Sequence, residues 1–61
     1  MKLTEALEAI SKTNKKITRS HWYGYNLRFN ADGYLMLRDG NAELTPYILF
    51  VYDFNYEWEI E

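Results

Sequence analysis

At 61 residues the chain has room for one domain, residues 1–61, with a core so small that it usually needs reinforcement. It has no cysteine, which excludes disulfides, and His21 is its only histidine, which leaves no ligand set for a structural zinc ion. An apolar fraction of 48%, a charged fraction of 26% and a net charge of -2 are typical of a folded soluble domain and exclude a disordered chain.

The first predicted element is a helix over residues 4–13. Four apolar side chains recur there at the spacing of one helical face: Leu3, Ala6, Leu7 and Ile10. Thr4 is placed to cap the first turn through its hydroxyl, and Glu5 follows where a carboxylate favours the positive end of the helix. We therefore expect a short amphipathic helix at the start of the chain.

The periodicity then changes to an alternation of apolar and polar residues, which is typical of strands. Residues 17–19 predict a short strand, and residues 25–30 predict a half-buried one. Residues 31–33 read Ala-Asp-Gly and predict a tight turn in which Gly33 takes a positive φ. Residues 34–38 then predict the partner strand of a hairpin.

The second half of the chain predicts further strands after a turn at residues 39–41. Pro46 interrupts residues 43–51, and because proline has no N–H for a strand ladder it marks an edge strand, a bulge or a strand start. The β-branched and aromatic content of residues 47–56 favours a strand, whereas Asp53 and Asn55 favour a turn or one helical turn before the last strand. Residues 57–61 alternate cleanly and predict that last strand. The expected fold class is α+β, with one N-terminal helix packed on a small, mostly antiparallel sheet of four to five strands.

Charge is distributed unevenly along the sequence. Residues 1–38 hold all seven Lys and Arg with three acids, a net charge of +4, whereas residues 39–61 hold six acids and no Lys or Arg, a net charge of -6. One interpretation is that the halves fold against each other and partly neutralise their charges. The other is that the basic half faces an anion while the acidic end stays solvated.

No set of residues with the requirements of catalysis stands out. The nearest combination of nucleophile and base is a serine with His21, but Ser20 is adjacent to His21, so their side chains would point to opposite faces of a strand. The acidic residues of the last strand share one face, and a solvated surface accounts for them. We therefore expect no catalytic residue, no metal ion and no cofactor, and a protein that acts by binding rather than as an enzyme.

One segment mixes basic and aromatic side chains. Residues 15–28 include Lys15, Lys16, Arg19, Trp22, Tyr23, Tyr25 and Arg28. Arginine offers forked donors to phosphate, and aromatic faces stack on bases at about 1–3 kcal/mol each. The segment suits single-stranded nucleic acid or a small nucleotide, and the negative net charge favours the small ligand. The alternative is that Trp22 and the tyrosines fill a core that is otherwise short of volume.

No segment predicts a contact with a membrane. The longest apolar run, residues 47–52, is far shorter than the roughly 18 residues that a transmembrane helix needs. The first residues, Met-Lys-Leu-Thr-Glu, lack the apolar stretch of a secretory signal. We therefore expect a cytosolic protein.

Two blocks of the sequence resemble a family of small phage proteins. Residues 5–7 read Glu-Ala-Leu and residues 15–24 read Lys-Lys-Ile-Thr-Arg-Ser-His-Trp-Tyr-Gly; later come Asp-Gly at 39–40, Pro-Tyr at 46–47, Asp53, and Glu-Trp-Glu-Ile at 57–60. The family includes the Thoeris anti-defence 2 proteins, which act as sponges for cyclic-ADP-ribose-like signals, and relatives described as inhibitors of CRISPR nucleases. His21 stands where the family often has Gly, and Tyr47 where it tends to have Trp.

The resemblance implies a role for Arg19, Trp22, Tyr47, Asp53 and Trp58, and Tyr23 of the basic and aromatic segment completes the expected set of ligand-binding residues. Trp22 and Tyr47 would stack on a base, and Arg19 would bind a phosphate or hold the fold. Asp53 would accept a hydrogen bond from a ribose hydroxyl or an exocyclic amine. Trp58 is the one best suited to the core. In such sponges the pocket lies between subunits, and a chain this small cannot enclose a dinucleotide alone, so a homo-oligomer is expected.

The leading hypothesis is therefore a phage counter-defence protein that sequesters a nucleotide-derived immune signal in the host cytoplasm without turning it over. A second hypothesis is a protein-directed inhibitor of a host enzyme, such as a defence nuclease, that uses the acidic C-terminal half. A third is a single-stranded nucleic-acid binder that uses residues 15–28.

Overall fold

A computed structural model describes all 61 residues and has the expected α+β fold, one helix on a five-stranded antiparallel sheet. The elements are α1 (Leu3–Ser11), β1 (Ile17–Arg19), β2 (Tyr25–Phe29), β3 (Leu35–Asp39), β4 (Ala42–Pro46), a 3-10 helix (Val51–Asn55) and β5 (Trp58–Ile60). The strand order is β4-β3-β2-β1-β5, with every neighbouring pair antiparallel. Neither helix has the length and apolar character needed to cross a membrane.

The N-terminal helix begins one residue earlier than predicted and ends two residues earlier. Thr4 lies inside the first turn, so its prediction as the cap is wrong. The backbone N–H of Lys2 instead donates to the carboxylate of Glu5 at 3.3 Å, which holds the start of the helix. The apolar face is the one that the sequence predicts, and its fully buried members are Leu3, Ala6 and Ile10.

The turn between β2 and β3 is built around one side chain. The Oδ1 atom of Asn30 accepts hydrogen bonds from the N–H groups of Asp32, at 3.0 Å, and Tyr34, at 2.9 Å. Gly33 has a φ of 86°, as predicted, a conformation that a residue with a Cβ rarely adopts. This turn fixes the register in which Leu27 lies opposite Leu37.

The alternation of side chains divides the sheet into two faces. The face under α1 carries the fully buried Ile17 and Leu27, which lie opposite each other on β1 and β2. The opposite face carries Asn26 paired with Arg38 across β2 and β3. We call these the helix face and the open face, because α1 packs only on the first.

The segment after β4 contains one helical turn before the last strand, which is one of the predicted alternatives, and no strand. Pro46 ends β4, which is an edge strand, in agreement with its lack of a ladder donor. Residues 47–50 have no regular structure, and Val51–Asn55 form a 3-10 helix before β5 begins. On β5, Trp58 is buried and Ile60 half-buried on the helix face, whereas Glu59 between them is exposed.

Candidate functional site

Six side chains from four separate segments meet at one end of the helix face. They are Arg19, Trp22, Tyr47, Asp53, Tyr56 and Trp58, and we call them the arginine–aromatic cluster. Arg19 ends β1 directly opposite Trp58 of β5, so the strand pairing itself sets these two together. Tyr47 follows β4, and Asp53 lies in the 3-10 helix. Residues far apart in sequence therefore converge on one site.

The connection between β1 and β2 brings Trp22 into the cluster through a sharp turn. His21 has a φ of 71°, the only positive φ outside glycine, in a region that costs an L-residue roughly 1–2 kcal/mol. The backbone N–H of Trp22 then donates to the carbonyl of Arg19 at 3.1 Å. The strained backbone of His21 thus lies in the turn that directs the side chain of Trp22 into the cluster.

The aromatic rings pack edge to face. The ring centroids of Trp22 and Trp58 are 5.2 Å apart at an interplanar angle of 86°, and those of Trp22 and Tyr47 are 5.7 Å apart at 76°. Such pairs contribute about 0.5–1.5 kcal/mol beyond the area they bury. Trp22 is therefore the central ring of the three, since it packs against both Trp58 and Tyr47.

Arg19 lies among these rings, and its buried Nε–H has no hydrogen-bond acceptor. Its Cζ atom is 3.8 Å from the ring centroid of Tyr56 and 4.7 Å from that of Trp22. The nearest carboxylate oxygen is Oδ1 of Asp53 at 4.0 Å, which is an ion pair but not a hydrogen bond. Its side chain is 15% exposed, and its Nε is buried without a partner. The guanidinium is held by stacking and charge.

Asp53 is the polar anchor of the cluster and is 2% exposed. Its carboxylate accepts from the hydroxyl of Tyr47, 3.0 Å from both oxygens, and from the backbone N–H of Phe50 at 2.8 Å. Its backbone carbonyl accepts from Nε1 of Trp58 at 2.8 Å. A buried carboxylate needs such partners, because an unpaired one is costly to desolvate.

The environment of Tyr47 changes its acidity. Burial disfavours the tyrosinate, and the hydrogen bond to Asp53 together with the charge of Asp53 favours the neutral phenol. These effects outweigh the opposing influence of Arg19 and raise the pKa of Tyr47 from 10.0 to about 12. The phenol therefore stays a donor to Asp53 over the whole physiological range.

Five of the six side chains assigned to ligand binding from the sequence come together, and Tyr23 does not. Tyr23 is 84% exposed, and the nearest aromatic ring is that of His21, at 6.5 Å. Trp58 is 0% exposed and belongs to the core, as expected for it. The oxygens of Asp53 already have donors within the chain, so a ligand reaches them only by displacing Tyr47. Arg19, Trp22 and Tyr47 remain the members that a ligand could touch.

The segment 48–56 covers this cluster and exposes apolar side chains to solvent. They are Ile48, Phe50, Val51, Tyr52, Phe54 and Tyr56, each at least 43% exposed. We call this the apolar segment. Its only charged residue, Asp53, is buried. Exposed apolar side chains concentrated in one segment mark a candidate interaction site.

Sequence reasoning missed Tyr56, the ring closest to Arg19. The residue lies just after the 3-10 helix, in the stretch where the sequence fitted both strand and turn. Its position depends on that helix, which Asp53 and Asn55 indicated only as one of several alternatives. The sequence did show an arginine in a chain rich in aromatic residues. That pattern did not identify which tyrosine would contact the arginine.

The chain offers no group of three or more His, Asp or Glu side chains arranged to hold a metal ion. Comparisons with models of protein families, with curated proteins and with solved structures find no match to this chain.

Proposed function

We propose that this chain is a phage counter-defence protein that acts in the host cytoplasm by sequestering a small nucleotide-derived signalling molecule without turning it over. The observation that carries the proposal is the state of Arg19. A mostly buried arginine that is stacked among aromatic rings, and whose Nε–H has no acceptor, has an unmet donor that a phosphate oxygen would satisfy.

The chemistry of the neighbouring groups fits the other parts of a nucleotide. Tyr56 lies on the guanidinium at 3.8 Å and is itself 43% exposed, so it occupies the place where a base would stack. Displacement of this ring would open Arg19 and the half-buried Trp22 together. The ligand would thus exchange one stacked ring for another and add the hydrogen bond that Nε of Arg19 lacks.

The apolar segment supports a site shared between copies of the chain. Its six large side chains expose on the order of 600 Å², since an aromatic side chain presents about 150–250 Å² when fully accessible. Stable interfaces bury about 800 Å² on each partner. With no exposed charge to repel its own kind, this surface suits a second copy, and its burial would place the two clusters at the subunit boundary.

Calorimetric titration with cyclic ADP-ribose isomers and with cyclic oligonucleotides tests the sponge. We expect tight, stoichiometric binding of one of them by the native chain, with at least a tenfold loss in Arg19→Met. Lys15→Met is the matched control, because it removes an exposed, unpaired cation elsewhere. The proposal fails if no compound gives heat, or if the control loses as much affinity as Arg19→Met.

The native mass in solution tests the shared site separately. We expect an oligomer for the native chain and a monomer for Val51→Glu, because Val51 is 79% exposed in the centre of the apolar segment. Tyr34→Glu is the control, since Tyr34 is 64% exposed and lies outside that segment. A native chain that is monomeric at high concentration would remove the shared pocket.

A second candidate, a protein-directed inhibitor of a host enzyme such as a defence nuclease, is favoured by the incomplete neutralisation of the acidic half. Two ion pairs join the halves, from the N-terminal ammonium to Glu57 and from Arg19 to Asp53. Glu59 and Glu61 stay exposed, and neither has an ion-pair partner. A stoichiometric host protein in a pull-down, lost in the double variant Glu59→Lys, Glu61→Lys, would favour this candidate over the sponge.

The third hypothesis, a single-stranded nucleic-acid binder, receives less support. A binding track needs its basic and aromatic groups on one surface. Arg19 lies on the helix face, whereas Arg28, next to the buried Leu27 in β2, projects from the open face. The segment 15–28 therefore does not form one continuous basic surface.

A further inference from the structure

The open face of the sheet contains a basin with two arginines in it. The basin has a volume of about 610 Å³ and is open to solvent; its charged lining residues are Arg28, Asp32, Arg38 and Glu43. Small-molecule sites commonly enclose about 300–1,000 Å³, so the space is large enough for a metabolite. We call it the arginine basin.

Arg38 is the unusual member of this lining. It is 9% exposed, yet its guanidinium makes only one hydrogen bond, from Nη2 to the backbone carbonyl of Asn41 at 3.1 Å. No carboxylate oxygen lies within 4.0 Å of it. With one neutral hydrogen-bond partner and an opening to the basin, the guanidinium of Arg38 has donors free for an anion there.

Arg28 places a second cation at the same basin. It lies opposite Met36, two residues before Arg38 along β3, so the two arginines are diagonal neighbours on one face. Side chains in that relation start about 7–8 Å apart and are long enough to meet at one point. Arg28 makes no hydrogen bond or ion pair through its side chain. Its guanidinium is therefore free to share one anion with Arg38.

We propose that the arginine basin binds a phosphate ester of a sugar, with the phosphate held by Arg28 and Arg38. Two forked guanidinium groups match the oxygens of one phosphate. The carboxylates of Asp32 and Glu43 line the same basin and accept hydrogen bonds from sugar hydroxyls. The four charges sum to zero, which disfavours a bare polyanion and favours a ligand with one phosphate and several hydroxyls.

This site is independent of the proposed sponge. Arg28 and Arg38 lie on the open face, whereas Arg19 and the apolar segment lie on the helix face and its border. The arginine basin is complete within one copy of the chain, so it does not require an oligomer.

The test is a titration of the full chain with ribose 5-phosphate, with inorganic phosphate and with ribose, followed by NMR of the arginine Nε–Hε and backbone amide groups. We expect ribose 5-phosphate to shift the signals of Arg28, Arg38 and Asn41. Inorganic phosphate should bind at least tenfold more weakly, and ribose should cause no shift. Equal binding of phosphate and its ester would contradict the role of Asp32 and Glu43.

Variants give the second arm of the test. Arg28→Gln and Arg38→Gln should each weaken ribose 5-phosphate binding at least tenfold, whereas Lys15→Gln, which removes a cation outside the basin, should leave it unchanged. Arg28 is only half-buried, so its variant remains informative if Arg38→Gln fails to fold. Arg19→Met should bind the ester normally. The proposal would be overturned if all variants lost the same amount of affinity for ribose 5-phosphate, or if ribose without a phosphate bound to the basin.

Discussion

The two faces of the sheet accommodate a buried arginine in opposite ways. On the helix face, Arg19 is enclosed by aromatic rings and has a buried carboxylate 4.0 Å away. On the open face, Arg38 has a backbone carbonyl and an open basin. The rings replace hydration by polarisable surface, whereas the basin leaves the charge within reach of water. The comparison teaches that similar burial of one residue type can stabilise a fold in one place and prepare a ligand site in another.

The largest expected effect comes from removing the carboxylate on which the helix face depends. Asp53→Ala leaves the hydroxyl of Tyr47 and the N–H of Phe50 without an acceptor and Arg19 without a counter-charge. Breaking a buried pair costs about 3–5 kcal/mol, a large part of the stability of a small domain. Urea unfolding followed by tryptophan fluorescence measures the loss.

Asp39→Ala is the control for that experiment. Asp39 is an exposed aspartate at the end of β3 whose side chain makes no hydrogen bond or ion pair. We expect its free energy of unfolding to change by less than about 0.5 kcal/mol. Similar losses in the two variants would mean that the cluster around Asp53 is not the anchor described above.

The next effect concerns Tyr47 and depends on pH. Tyr47→Phe removes hydrogen bonds to a charged acceptor, which is expected to cost about 1.5–3 kcal/mol at neutral pH. Because folding raises the pKa of Tyr47 from 10.0 to about 12, its contribution is complete below pH 10 and is lost as the pH rises towards 12.

The measurement is the free energy of unfolding of the native chain and of Tyr47→Phe across that alkaline range. The difference between them should shrink as the pH approaches 12. A difference that stays constant over this range would show that the phenol ionises as readily in the folded chain as in the unfolded one.

A smaller effect compares the two arginines directly. Arg19→Met is expected to cost about 2 kcal/mol, since it removes cation–π contacts and leaves Asp53 without a cation. Arg38→Met should change stability by about 1 kcal/mol or less, because an apolar side chain of similar length replaces a poorly paired charge. Thermal unfolding of both variants under one condition gives the comparison, which is wrong if the order is reversed.

The smallest effect is a gain. His21→Gly should stabilise the chain by about 0.5–1 kcal/mol, because glycine adopts the φ of 71° without the steric penalty that histidine has. The greater entropy of glycine in the unfolded chain offsets part of this gain. Ser20→Gly, one residue earlier and not at a positive φ, should instead destabilise. Chemical denaturation of both variants distinguishes a local backbone strain from a general effect of glycine.

Much of the fold could be predicted because its signals are local. The alternation of residues 17–19 and 25–30, and the turn chemistry at Gly33, place three strands within one or two residues of their observed bounds. The start of the helix was misassigned because a capping threonine and a carboxylate that reaches back to Lys2 give similar sequence patterns.

The sites could be predicted only in part. The resemblance named five residues of the arginine–aromatic cluster, but not that Asp53 would be fully engaged within the chain. The arginine basin was missed because Arg28 was grouped with its sequence neighbours. The hairpin turn contained the needed signal, since its register sets Arg28 and Arg38 on one face of the sheet. Side chains of residues that are adjacent in a strand point to opposite faces of the sheet, so neighbours in sequence do not share a site.

The strand order also bears on the order in which the strand pairs form during folding. Strands β2, β3 and β4 are joined by short hairpins, so their pairings close small loops. Strand β1 must instead pair with β5, which joins Ile17 to Ile60 near the far end of the chain. Contacts of such long range close large loops and are slow to form. We therefore expect the hairpins of β2, β3 and β4 to form before the pairing of β1 with β5.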